Sequence, residues 1–416
     1  MHSPRIPFGP RAGVLLIAAA LLAGAAAPAA AQIAPPAIAA RSWLVLDVSS
    51  NQILAMQDAD TRTDPASLTK LMTAYLVFSA IKAGSIHAGD MVTISERAWK
   101  SGGNKESSRM FIEVGKQVSV DELLHGMIIQ SGNDATIALA ERVGGTEDQF
   151  AELMNKKAAE FGMKNSRFSN SHGLSEPNHY STARDLAILS QRLVTDFPDY
   201  LSYYSTKSYT YNGIKQENRN RLLWLDPSVD GLKTGYTDLA GWCLIATAHR
   251  PFPAAPAAGA PAGATPADGQ PVASAPEGER RVISVVIGAQ NASGRVQESQ
   301  KLLNFAFQSY DDVRLYAKGA VVQQIPVFKG TADEVPAGVN RELVVSVPRG
   351  QGDKIRAAVE RSERLIAPIQ IGQQVGTIKL TLDGRPVGEV PLVAMGNVNK
   401  AGMIGSAIDA MRMMFK

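Results

Sequence analysis

DPASLTKLMTAYLVFSAIKAG, residues 64–84, is the stretch on which the fold turns. Asp64-Pro65-Ala66 opens a helix expected over residues 67–83, and Gly84 stops it. Leu68, Leu71, Met72, Ala74, Tyr75, Leu76, Val77, Phe78 and Ile81 leave it almost no polar face, so it must lie inside a domain, covered on all sides. Ser67 and Lys70 break that pattern at its start. They stand one turn apart, so hydroxyl and amine share a face. Free amides of a first turn favour developing negative charge there. A lysine held among apolar groups loses proton affinity and can take the serine proton near neutral pH. The same spacing recurs at Ser79 and Lys82, but near the helix end where the dipole opposes an oxyanion.

Upstream, residues 42–47 and 52–55 read as short strands around a Ser49-Ser50-Asn51 turn. Downstream, residues 118–200 are mostly helical. A capping box at Ser119 to Glu122 starts a helix ending near Gln130, and Ser131-Gly132-Asn133 interrupts the pattern before a helix over 134–143. Thr146-Glu147-Asp148-Gln149 caps another, ending near Gly162. From Ser208 the character changes to strands, with 232–237, 241–248 and 281–287 rich in branched and aromatic residues. The last two read as hairpin neighbours. Between them, 251–279 is almost entirely Ala, Pro and Gly, a disordered insertion at the hairpin tip. A helix near 295–310 follows. Short β runs at 321–327, 342–347, 375–382 and 387–393 then make a small, mostly antiparallel all-β domain over 311–395.

Both ends carry separate signals. Arg5 and Arg11 precede an apolar run from Gly13 to Ala27, and Ala29-Ala30-Ala31 offers small residues for cleavage, so 1–31 reads as a secretory signal peptide. Its removal leaves 40 basic against 39 acidic side chains, with no electrostatic footprint for nucleic acid. At the other end, within 396–416, Ile404, Ala407, Ile408, Met411, Met414 and Phe415 share one helical face beside Lys400, Arg412 and Lys416. An amphipathic helix in the membrane interface fits this, the alternative being a helix docked on its own domain. Cys243 is the only cysteine and reads as a core thiol. The six histidines show no metal spacing, so no metal and no cofactor are expected. His125 reads as structural and His172 as a scaffold contact near the site.

Two further motifs accompany Ser67-Leu68-Thr69-Lys70. Ser131 and Asn133 occupy the helix break, where a hydroxyl can relay a proton to a leaving amine and an amide can grip a peptide carbonyl. Lys233-Thr234-Gly235 lies on a strand, where cation and hydroxyl can bind a carboxylate and Gly lets a substrate backbone come close. If that strand is a sheet edge, an extended peptide can pair with it. The amides of Ser67 and Thr237 are the expected oxyanion hole.

In this order and on these elements, the motifs resemble the penicillin-binding protein and serine β-lactamase superfamily. The resemblance is closest to the low-molecular-mass D-alanyl-D-alanine carboxypeptidases. It is carried also by Gln130-Ser131-Gly132-Asn133-Asp134-Ala135, His172-Gly173-Leu174, Asn218-Arg219-Asn220 and Val229-Asp230-Gly231-Leu232-Lys233-Thr234-Gly235. It implies an α/β (α+β) domain over 32–310, with an antiparallel sheet flanked by helices. It also implies a Ser67 acyl-enzyme, Lys70 as general base, Ser131 in proton transfer, and substrate held by Asn133, Lys233, Thr234 and Gly235. Arg219 would help fix the terminal carboxylate, or is a plain surface arginine. The implied partners are peptidoglycan stem peptides, β-lactams as inhibitors, and the outer face of the cytoplasmic membrane. Tyr236 stands where relatives often have His. A β-lactamase is disfavoured because no Glu-x-x-Leu-Asn segment precedes Lys233 and Gly132 replaces the usual Asp. A crosslink endopeptidase and a non-catalytic wall-binding protein stay as rivals.

Overall fold

The computed structural model describes residues 33–101, 107–252, 276–361 and 364–402. The expected signal peptide therefore lies outside the described residues, as do most of the Ala/Pro-rich insertion and the tail from 403 onward.

Five antiparallel strands form the central sheet: β1 Ser42–Asp47, β2 Gln52–Gln57, β3 Val229–Thr237, β4 Gly241–Pro251 and β5 Glu279–Ala289. Their order is β2-β1-β5-β4-β3, so β3 is a sheet edge. Helices Ala183–Asp196 and Ala292–Ser309 pack on the sheet. Helix α1, Lys70–Lys82, packs against Ala183–Asp196 and against α2, Asn133–Gly144, and is buried from Lys70 through Phe78. Each of its large apolar side chains contributes about 1.5–3 kcal/mol by leaving water.

Helix starts differ from the sequence reading in a way that matters. Ser67 lies not in the α-helix but in a tight 3-10 turn, Ala66–Thr69, that feeds it. The helix expected to end near Gln130 is α-helical only over Val120–His125, then widens to a π turn at Gly126–Gln130. That wider turn delivers Ser131 in a left-handed conformation, φ +67°.

The hairpin is as expected, but longer: β4 runs to Pro251, β5 starts at Glu279, and Phe252 N donates to Gly278 O (3.2 Å). The described ends of the insertion are thus strand, because their backbones keep pairing after the side chains stop being apolar.

The C-terminal part is all β. A six-stranded sheet and the pair Tyr310–Tyr316 with Leu343–Pro348 enclose an aliphatic core. Asp383 and Gly384, both at positive φ, make the tight turn between Gln374–Leu382 and Arg385–Ala394. The domain continues past the expected boundary at 395: Val398 bridges Ile369 and Lys400 bridges Gly330. Lys400 therefore belongs to the sheet rather than to a helix. A buried Arg280 joins the two halves, bonding Asp47 (2.7 Å) and Tyr310 O (2.7 Å) and lying 3.4 Å from Asp312.

Candidate active site

Ser67 sits on a strained turn. Ala66, just before it, has φ +48°, a region L side chains avoid, and Asp64 Oδ1 holds its N–H at 2.7 Å. Two glycines make room for that turn. A Cβ on Gly173 would come within 1.8 Å of Ala66 O, and one on Gly235 within 3.3 Å of Ser67 N. The serine is therefore wedged between the 171–173 loop and β3, half-buried, with its amide beside the strand.

Behind it Lys70 is buried. Its Nζ lies 3.0 Å from Ser67 Oγ, 2.8 Å from Asn133 Oδ1 and 2.6 Å from His172 O. A neutral amine has two N–H groups and one lone pair. The two carbonyl oxygens can only accept, so they take the protons, and the lone pair is left facing the Ser67 hydroxyl. Burial, aided by the nearby charge of Arg219, lowers the Lys70 pKa to about 7, while Asp134 and Glu147 pull against it. Near neutral pH the amine is poised to take a proton.

Asn133 thus serves Lys70 first. Its Oδ1 is taken by the amine, one Nδ2 proton goes to Ser107 Oγ (2.7 Å), and its backbone N–H reaches Ser108 O (2.8 Å). Only one side-chain proton is left for the carbonyl grip expected from the sequence. Ser131 is buried, with no hydrogen-bond partner for Oγ among the described residues. Such an orphan hydroxyl is costly unless a ligand or water completes it.

The β3 edge supplies the opposite wall. Lys233 and Thr234 are buried, and Lys233 Nζ donates to Thr234 O (3.2 Å). Burial, then Lys70, Arg219 and Arg295, push the Lys233 pKa well down. Arg219 is exposed, but its neighbours are fixed: Asn218 bonds Tyr204 O and Thr206 O, and Asn220 bonds Gly231 O.

Thr237 is not where the sequence reading put it. Arg295 Nη1 reaches both Gly235 O (3.1 Å) and Cys243 O (3.5 Å), and these residues are paired across β3 and β4. Both carbonyls therefore face the seam between the strands. Backbone groups alternate along a strand, so Thr237 turns its N–H toward β4, and Thr234 and Tyr236 face the open edge. The Thr237 hydroxyl accepts from Ala240 N within its own turn (3.0 Å). Tyr236, which follows the Gly235 packed against Ser67 N, therefore offers its amide to the open edge.

Three residues missed by the sequence reading complete the site. Glu147, noted only as part of a helix cap, accepts from Arg97 (2.7 Å) and from the Ser171 N–H and hydroxyl, and lies 3.4 Å from His172. It fixes the loop whose carbonyl holds Lys70. Burial drives the His172 pKa down to about 3, so the ring is neutral. Asp134 accepts from the N–H groups of Met110, Phe111, Ile112 and Ala135, pinning the 110–112 segment against Gly132 of the Ser131–Asn133 break. Arg295 clamps the back of the strand. A buried acid in a cap position was the one available signal, and it is weak. His125 hydrogen-bonds Asp121 O and stacks on Tyr209, Cys243 is buried with its thiol pushed up to about 11, and no three potential ligands among the described residues cluster to hold a metal.

Comparison with known proteins gives a consistent picture. The family model described as D-alanyl-D-alanine carboxypeptidase matches residues 29–252, and that of the penicillin-binding protein 5 C-terminal domain matches 310–400. The chain is 40% identical over 384 residues to D-alanyl-D-alanine carboxypeptidase DacA of Escherichia coli K12, covering 91% of this chain and 89% of that protein. Penicillin-binding protein 5 of Haemophilus influenzae superposes with TM-score 0.77 at 38% identity, over 88% of this chain and 100% of that one. Penicillin-binding protein D2 of Listeria monocytogenes, solved in its cefotaxime-bound form, matches 66% of this chain and 100% of its own, with TM-score 0.55 and 29% identity.

Proposed function

This chain belongs to the D-alanyl-D-alanine carboxypeptidase family and has that activity, and from this premise we propose how its own residues carry the reaction. Ser67 Oγ attacks the carbonyl of the penultimate D-Ala and gives its proton to Lys70 Nζ. The amides of Ser67 and Tyr236 receive the developing oxyanion. Lys233, Thr234 and Arg219 hold the terminal carboxylate. The C–N bond breaks, the Ser67 ester forms, and the proton passes from Lys70 through Ser131 to the leaving D-Ala amine. Water then hydrolyses the ester with Lys70, neutral again, as base. A β-lactam enters the same sequence when Ser67 opens its ring.

The observation that supports this most is the Lys70 amine, held by two carbonyl acceptors with its lone pair toward Ser67 at 3.0 Å. D-Ala release from a soluble pentapeptide ending in D-Ala-D-Ala is the test. Ser67→Ala and Lys70→Ala should each abolish release in a folded protein, and retained turnover in either would refute the assigned role.

No helix among the described residues is long and apolar enough to cross a membrane. The signal at 1–31 and the amphipathic pattern beyond Gly402 favour export and peripheral anchoring on the outer face of the cytoplasmic membrane. Deleting residues 403–416 should release the mature protein from membranes without lowering turnover of soluble peptide, and continued retention would refute the anchor.

A further inference from the structure

An extended substrate on β3 has a fixed direction if the mechanism above holds. Its carboxylate lies at Lys233 and Thr234 and its scissile carbonyl at Tyr236. The acyl half must then leave past the 238–240 turn. A groove of about 560 Å³ opens there. Leu239, on that turn, forms one wall, and Ser175, Glu176 and Pro177 form the other. Asp64, which holds the Ala66 amide, and His179, bonded to Thr69, line the end toward Ser67.

Within the groove Arg62 is arranged as a receptor for an anion. Its Nε and Nη2 rest on Asn165 Oδ1 (3.4 and 3.1 Å), and the guanidinium lies 4.5 Å over the Tyr180 ring. Tyr180 is itself fixed by a backbone bridge to Arg167. No carboxylate among the described residues lies within ion-pairing distance of Arg62. The two acids that line the groove have other hydrogen bonds: Asp64 to the Ala66 amide and Glu176 to Asn170. Arg41, on the floor, grips Leu239 O and Ala240 O and so holds the wall in place. A guanidinium held in one orientation with its acid partner missing is suited to bind a carboxylate.

We propose that this groove is the subsite for the acyl half of the stem peptide, with Arg62 binding a free carboxylate carried by its second or third residue. Two to three extended residues of the acyl half span about 7–10 Å. Tyr180 also borders a second groove, about 770 Å³, whose charged lining is Lys164, Arg167 and Glu152. This assignment rests on the substrate direction derived above.

The test compares two D-Ala-D-Ala substrates, a full stem pentapeptide and a diacetylated tripeptide that lacks the acidic acyl half, on the mature enzyme and its Arg62→Gln and Arg62→Lys variants. In Arg62→Gln the kcat/KM ratio of pentapeptide to tripeptide should fall about tenfold, through KM, and Arg62→Lys should recover part of it. Pentapeptides amidated at the second or at the third residue identify the carboxylate. The relevant one should cost the unmodified enzyme the same factor and leave Arg62→Gln indifferent. A ratio unchanged within about twofold, or equal losses on both substrates, overturns the subsite. The mechanism fails separately, through turnover by Ser67→Ala.

Discussion

The two halves of this molecule spend their interiors differently. Beyond Asp312, Ser346 is the only buried polar side chain among the described residues, and the β domain packs Val335, Ile378, Leu392 and their neighbours into an aliphatic core. The catalytic half buries Lys70, Asn133, Asp134, Glu147, His172, Lys233, Thr234 and Arg295. It also holds Ala66, Phe111 and Ser131 at positive φ. Buried charge and left-handed backbone each cost free energy unless the surroundings fix them. The sheet and α1 provide that fixing. Reactivity is concentrated where folding is least favourable locally, whereas the β domain keeps its non-glycine residues at positive φ, Lys329 and Asp383, between strands and away from its core.

Changes at the site should therefore damage chemistry more than stability. Lys70→Ala should lower acylation by a fluorescent penicillin by at least about 10³-fold, since among the described residues Lys70 is the base hydrogen-bonded to Ser67. Its melting temperature should change little, because the loss of three hydrogen bonds is offset by removal of a buried, desolvated amine. A collapse of the fold would break the contrast.

Glu147→Gln should lower kcat/KM by about 10–100-fold, because the 171–173 loop loses a carboxylate acceptor and Lys70 its aligned carbonyl. Activity within about twofold of the unchanged enzyme would show the loop to be held by packing alone.

The pH profile sharpens the same point. Lys70 is active as the neutral amine, and its pKa is lowered from 10.5 to about 7. Activity should therefore rise with pH through an acid limb near 7 and be lost below it, as the amine takes up a proton. Arg219→Gln removes a positive neighbour, so the limb should move to higher pH. A limb that stays in place would remove Arg219 from the electrostatics of the base.

The opposite substitution is the quietest for chemistry. Leu392→Ala in the β core should cost about 3 kcal/mol of stability by leaving a cavity, yet keep kcat/KM on soluble peptide within about twofold. A matching loss of activity would mean that the halves are coupled through Arg280.

Sequence legibility follows the same division. Ser67 and Lys70, Ser131 and Asn133, and Lys233 to Gly235 are short-range patterns whose spacing carries their geometry. The α1 helix was readable because an unbroken apolar surface has one home. What escaped depends on contacts between distant positions: Lys70 meets Asn133 and His172 across 63 and 102 residues. The error at Thr237 is of another kind. Which amide of a strand faces outward depends on one residue of register, and no composition or spacing encodes that parity. The left-handed turn at Ala66 was hidden because alanine gives no sign of it.

The β4–β5 hairpin carries one last consequence. Strand β4 leaves the catalytic cleft at Gly241 and ends at Pro251, about 30 Å away along the strand. The backbone is already closed there, by Phe252 and Gly278, before the Ala/Pro-rich stretch begins. Foreign sequence spliced at that point enters through a sealed neck, far from the chemistry. The hairpin tip is thus a natural attachment port, where an affinity tag or a fused reporter can be carried without altering catalysis.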